Sequence, residues 1–282
     1  MSRPVRILSD LHLGHRVSRI GAADQLRPLI AGAATVIFNG DTWQELASLF
    51  RERSAGMLDR LRTICAEEGA DPVFLSGNHD PGWPGPGWGE LGGGRILIVH
   101  GDALFDDGSP WSREALTHQP EVAALWQQHQ QARSDPAARI RLAREMALLL
   151  RARDYPKGKK LWQRAFDAIH PPARALQMLR VWTTQADAAA AFADRFFPQA
   201  EIVIMGHFHR AGIWRRRGRL IINLGAFMNP CPALWAEFDG EWLRCGRIDE
   251  SGPDYRFGAV SGAWRLGGAP AQRPSSQEIC GV

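Results

Sequence analysis

Five short polar clusters hold residue types that can do chemistry together: Ser9-Asp10-Leu11-His12, Asn39-Gly40-Asp41, Ser76-Gly77-Asn78-His79-Asp80, His100-Gly101-Asp102 and Gly206-His207-Phe208-His209. Seven of their residues, Asp10, His12, Asp41, Asn78, His100, His207 and His209, can offer carboxylate oxygen, amide oxygen or imidazole nitrogen to a metal ion. A mixed set without thiolate favours manganese, iron, zinc or cobalt over calcium. A lone Asp-x-His or His-x-His is more often a satisfied polar pair than a ligand motif. Jointly the clusters use five of the nine histidines, and each occupies the same kind of place in the chain.

That place is the end of a short aliphatic run. Val5 to Leu8, Thr35 to Phe38, Val73 to Leu75, Ile96 to Val99 and Ile202 to Met205 each stop abruptly at one cluster, as buried strands with loaded carboxyl ends do. Helical-period segments over Gly21 to Ala31 and Gln44 to Glu68 separate the first three, which gives an α/β pattern. In such sheets the strand ends converge on one edge, where ligands bind. Glycines 40, 77, 101 and 206 fit this reading as points where the backbone turns sharply beneath crowded side chains.

The flanking segments have their own character. Residues 111–200 are rich in Ala, Leu, Arg and Gln at helical spacing, broken by Pro120, Pro136, Pro156 and Pro171-Pro172, and read as a helical insertion. Strands resume at Ala211 to Trp214 and Leu220 to Asn223, and a hairpin through Asp239-Gly240 joins Ala233 to Phe238 with Glu241 to Cys245. Pro81 to Gly94 reads as a long loop bordering the third cluster. The expected division is a core of 1–110 and 201–250, an insertion of 111–200 and a Gly/Pro/Ser-rich tail of 251–282.

With 282 residues, 45% of them hydrophobic and 23% charged, wholesale disorder and an integral membrane protein are both excluded. The longest apolar stretch, near Leu29 to Phe38, falls well short of the roughly 20 residues that span a bilayer. Met1 to Leu8 lacks the core of a secretory signal, and Cys65, Cys231, Cys245 and Cys280 are scattered, so reduced thiols in the cytoplasm are expected. The net charge is +4, with the insertion at +6 and the remainder at −2. A solvated helix face explains such a balance, but Trp111, Trp126, Trp162 and Trp182 in the same stretch also suit an amphiphilic surface resting on an anionic membrane.

The ordered set Asp-x-His, Gly-Asp, Gly-Asn-His-Asp, His and Gly-His-x-His resembles the signature of the calcineurin-like metallophosphoesterase superfamily, over about Val5 to Gly101 and Ile202 to Cys245. The resemblance implies two facing mixed β-sheets flanked by helices and two divalent metal ions, manganese foremost. It implies that Asp10, His12 and His209 hold the first ion, that Asn78, His100 and His207 hold the second, and that Asp41 bridges them. It further implies hydrolysis of a phosphoester or pyrophosphate by a hydroxide held between the ions, so no Ser or Cys nucleophile is needed. His79 is then the catalytic acid or charge stabiliser, with a purely structural hydrogen bond behind the ligands as the alternative, and Asp80 is expected to orient it.

Ser9-Asp10-Leu11-His12-Leu13-Gly14, His100-Gly101-Asp102-Ala103-Leu104, the insertion and His209-Arg210 look like the UDP-2,3-diacylglucosamine pyrophosphatase branch, whose helical insertion forms a lid over the acyl chains of a nucleotide-linked lipid. That branch usually carries Arg where this chain has His79. A phosphate leaving group gains most from fixed positive charge, whereas an alkoxide needs a proton. Broad phosphodiesterase or phosphomonoesterase activity, a nuclease, a protein phosphatase and a non-catalytic scaffold therefore stand as the other readings.

Overall fold

The computed structural model describes residues 3–108, 113–151 and 172–266. A six-stranded sheet is built from β1 (Val5–Leu8), β2 (Thr35–Asn39), β3 (Asp71–Leu75), β9 (Leu234–Phe238), β10 (Trp242–Asp249) and β11 (Arg256–Arg265), in the order β11-β10-β9-β1-β2-β3. A five-stranded sheet holds β4 (Trp88–Leu91), β5 (Ile96–Val99), β6 (Ile202–Met205), β7 (Gly212–Arg216) and β8 (Arg219–Asn223), in the order β4-β5-β6-β8-β7. Both sheets are mixed. The strands β1, β2 and β3 run parallel, as do β5, β6 and β8, and the remaining pairings are antiparallel.

The period of two along each strand explains the layers. Ile7, Ile37, Val73, Leu75, Ile96, Ile98, Ile202, Ile204, Leu220 and Ile222 form one apolar cluster between the sheets. Their neighbours Leu8, Val36 and Phe38 turn the other way, onto α1 (Arg27–Ile30) and α2 (Ser48–Glu67). On the second sheet Leu97, Val99, Val203, Met205 and Ile221 pack against helices of the insertion. With both faces buried, these strands carry unbroken aliphatic runs instead of alternating ones.

The insertion contains α3 (Arg113–Thr117), α4 (Gln119–Gln128), α5 (Pro136–Leu149) and α6 (Pro172–Phe196). Asp135 caps α5, its carboxylate accepting from the N–H groups of Ala137 and Ala138 at 3.0 and 3.1 Å, with Pro136 following where its missing N–H costs nothing. A stripe of Ala186, Ala189, Ala190 and Ala193 lets α6 approach the second sheet closely. The last turns of the stretch read as insertion are thus the outer helical layer of the core.

Three expectations need correction. The tail does not begin at 251, because β11 extends the first sheet through Arg265; residues 267–282, including Cys280, lie outside those described. The stretch from Pro81 to Gly94 is not all loop, since β4 pairs antiparallel with β5 inside it. The second helix begins at Ser48, which leaves Gln44 in the loop after β2.

Candidate metal centre

The loops that follow β1, β2, β3, β5 and β6 meet at one edge shared by both sheets. Backbone bonds lace them together: the N–H groups of Asp10, His12 and Leu13 donate to the carbonyls of Gly40, Asp41 and Thr42, and Gly206 N–H donates to His100 C=O at 2.8 Å. The Asn39 amide crosses between the sheets to Val99 C=O at 3.1 Å.

Among the described residues six non-glycine residues have positive φ, and five of them are Asp10, His12, Asp41, His207 and His209, at 46° to 65°. This left-handed region costs an ordinary residue on the order of 1 to 3 kcal/mol, and such strain persists where surrounding structure fixes it, typically at functional sites. Close approach adds to the picture. A Cβ on Gly206 would collide with Asp10 Oδ2 and Ser9 Oγ, and one on Gly77 would collide with Asp41. These two glycines lack positive φ, so they serve here by leaving room for the Asp10 and Asp41 side chains and not by turning the backbone.

The donor atoms form two groups with Asp41 in common. Asp10, His12, Asp41 and His209 make one, and Asp41, His100 and His207 the other, with the donor atoms of each group lying within 4.8 Å of one another. In the first, His209 Nε2 is 3.2 Å from Asp10 Oδ1 and 3.1 Å from His12 Nε2, and His12 Nε2 is 3.7 Å from Asp41 Oδ2. In the second, His100 Nε2 is 3.4 Å from Asp41 Oδ1 and 3.4 Å from Asn78 Oδ1. Asp41 thus turns one oxygen toward each group. All seven residues expected to offer ligand atoms are brought to this edge.

Outer partners orient the rings. His100 Nδ1 donates to Asn39 C=O at 3.0 Å, and His207 Nε2 donates to Gly108 C=O at 3.3 Å, leaving the other nitrogen of each ring as the basic one. Ser9 Oγ lies 2.6 Å from Asp10 Oδ2. Burial lowers His12 and His207 well below an ordinary imidazole. Burial would lower His100 too, but the Asp41 carboxylate overrides it and lifts His100 well above. Asp41 shows the converse: burial would raise it, and His100 and His79 pull it well below.

His79 stands beside Asn78 with Nε2 3.9 Å from Asp41 Oδ2, and its ring Nδ1 meets the Gln44 amide at 3.0 Å. Asp80 does not orient it. The Asp80 carboxylate accepts from five N–H groups, those of Asp41, Gly77, Thr42, Trp43 and the Trp83 indole, and so pins the loop that carries Asp41. Burial, with Asp41 close by, pushes its carboxyl up to about 8. Sequence reasoning passed over Gln44, which is fully buried, and Ser9; the available signal was a polar side chain three places after Asp41 that the loop folds back on the site.

The donors are buried except at one side. Side-chain exposure is 0% to 2% for Asp10, His12, Asp41 and His100, against 32% for His79 and 27% for His209. These two imidazoles mark the open side of the cluster. Of the insertion tryptophans, Trp126 donates to Asp106 C=O at 2.7 Å and lies under the Arg139 guanidinium at 4.4 Å, while Trp182 donates to Phe208 C=O at 3.1 Å. Both hold the insertion to the site loops. Trp111 and Trp162 lie outside the described residues. None of the described helices is long and apolar enough to cross a membrane.

No family model and no curated protein matches this chain. Among solved structures it is similar to a dimetal phosphatase from Danio rerio, at 14% identity over 86% of this chain and 95% of that one with a TM-score of 0.44. It is also similar to Vps29 from Chaetomium thermophilum, at 12% identity over 94% and 99% of the two chains with a TM-score of 0.47. A further similarity is to Vps29 of Entamoeba histolytica complexed with Zn2+, at 14% identity over 93% and 98% with a TM-score of 0.43.

Proposed function

We propose that this protein is a metal-dependent phosphoesterase using two divalent ions, one held by Asp10, His12, His209 and Asp41 and the other by Asn78, His100, His207 and Asp41. One observation carries the reading: a buried carboxylate presents one oxygen to each of two oxygen-and-imidazole clusters, on a strained backbone. The donor chemistry fits such ions, being free of thiolate and fixed by outer hydrogen bonds. Ions held by these residues would supply positive charge that activates water and neutralises phosphoryl oxygens. The protein's own part is to orient the ester over His79 and His209 and to supply a hydrogen bond or proton from His79 to the leaving oxygen.

Two further observations bear on the substrate class, each favouring a different reading. An imidazole at position 79 suits an alkoxide leaving group, which favours phosphodiesters and phosphomonoesters. A cavity of about 970 Å3 lined by Phe105, Val122, Trp126, Val181, Arg133 and Arg180 favours the nucleotide-lipid reading, UDP-2,3-diacylglucosamine or a relative. Its wall at Phe105 to Asp107 leads directly to Gly108, the partner of His207.

The test is a panel of UDP-diacylglucosamine, an aryl phosphodiester, a phosphomonoester, a cyclic nucleotide and single-stranded DNA, run with manganese and with chelator. Turnover that needs manganese and drops at least about 10^2- to 10^3-fold in Asp41→Asn is expected, the range lost when one fixed electrostatic contact is removed. Equal turnover with chelator, or in the variant, would refute the assignment.

A further inference from the structure

Gln44 touches both imidazoles on whose protonation the site depends. Its side-chain amide lies 3.1 Å from His12 Nδ1 through one end and 3.0 Å from His79 Nδ1 through the other, and it has no other hydrogen-bond partner among the described residues. It is fully buried, and its backbone N–H is held by Ser54 Oγ at 2.8 Å, itself bonded to Leu13 C=O at 2.6 Å. An amide has one accepting end and one donating end, and a half-turn exchanges them without moving any other atom.

This gives two self-consistent arrangements. With the amide nitrogen on His12, as placed, His12 Nδ1 accepts and its proton sits on Nε2, the nitrogen that faces Asp10 and Asp41. His79 then donates from Nδ1 to the amide oxygen. With the amide reversed, His12 donates from Nδ1 and keeps a lone pair on Nε2. His79 Nδ1 must now accept, so the proton of the neutral ring sits on Nε2, the nitrogen 3.9 Å from Asp41 Oδ2 on a ring that is 32% exposed. Only the second arrangement lets His12 act as a ligand through Nε2.

We propose that Gln44 is a positioning residue that ties occupation of the Asp10, His12 and His209 cluster to the proton position on His79, so that loading the site places a donor N–H where the leaving oxygen departs. The inference rests on the metal reading above. It distinguishes an amide from a carboxylate at this position, since a carboxylate accepts from both rings and would hold the His79 proton on Nδ1, away from the substrate.

The experiment uses the full chain with 15N-labelled histidine, titrated with zinc and followed by long-range proton–nitrogen correlation spectra and by calorimetry. In zinc-loaded wild type, His79 is expected as the Nε2-protonated tautomer. In Gln44→Glu, zinc binding should persist while the His79 proton moves to Nδ1. In Gln44→Leu, affinity should fall about 10- to 100-fold, the range for losing an outer partner of a ligand. Zinc-loaded wild type with His79 protonated on Nδ1, or Gln44→Glu with the wild-type tautomer, would overturn this inference alone. No zinc uptake by wild type would overturn the metal reading and this inference with it.

Discussion

Asp41 and Gly206 show what single residues contribute here. Asp41 is useful because Asp80 fixes its loop by accepting from the Asp41 and Thr42 N–H groups, while the His79 N–H donates to Asp41 Oδ1 at 2.8 Å and both carboxylate oxygens stay turned toward imidazoles. Gly206 is useful for what it lacks. Gly206→Ala would drive a methyl into Asp10 Oδ2 and Ser9 Oγ at the base of the first cluster. Overpacking of this kind costs about 1 to 3 kcal/mol, so the variant should melt several degrees lower and take up less than the full complement of metal; calorimetry and elemental analysis check both. Wild-type metal content in that variant would refute the close-packing account. The candidate donors were legible in the sequence because five polar clusters each follow an apolar run and together use five of the nine histidines. Gln44 was not, since one buried amide has no period, and the role of Asp80 was misjudged because adjacency to His79 suggested a contact that the turn prevents.

At the scale of elements, the strand runs were readable because burial on both faces removes polar alternation. β11 was hidden for the opposite reason: it is a largely exposed edge strand whose half-buried face carries Gly258, Gly262 and Trp264, so no apolar run marks it. The helical insertion was evident in composition, but its attachment to the site was not. α6 grips the β6 loop through the Trp182 indole on Phe208 C=O, through Arg210 on Trp182 C=O, and through Gln185, which accepts from the Asn223 amide that also reaches Gly206 C=O. His207 and His209 stand on that loop. Trp182→Phe keeps an aromatic ring and removes the N–H that donates to Phe208 C=O. A loss of about 1 kcal/mol is expected, along with weaker metal binding at the β6 loop. Thermal melting with and without manganese separates the two effects, and a variant that melts lower yet binds metal as wild type does would confine α6 to a structural role.

For the whole molecule, the two sheets are joined at the loaded edge chiefly through polar loops, so ions held there would act as fasteners between the halves. A ligand that binds only the folded state adds about 2.7 kcal/mol at a hundred times its dissociation constant. For a chain of this size that amounts to roughly 5 to 10 °C in melting temperature. Removing metal with chelator should lower the melting temperature by this order. The shift should also depend on pH, with a sign set by His100. Asp41 raises its pKa well above the ordinary imidazole value, so near neutrality the ring carries a proton on Nε2 that loading must displace. Metal affinity should therefore rise as pH increases toward the raised pKa of His100, by up to about tenfold per pH unit for each proton released, and flatten above it. Melting scans across pH 6 to 9 with and without manganese measure this. A metal-dependent shift that stays constant or shrinks with rising pH would mean that the His100 and Asp41 pair does not hold the ion.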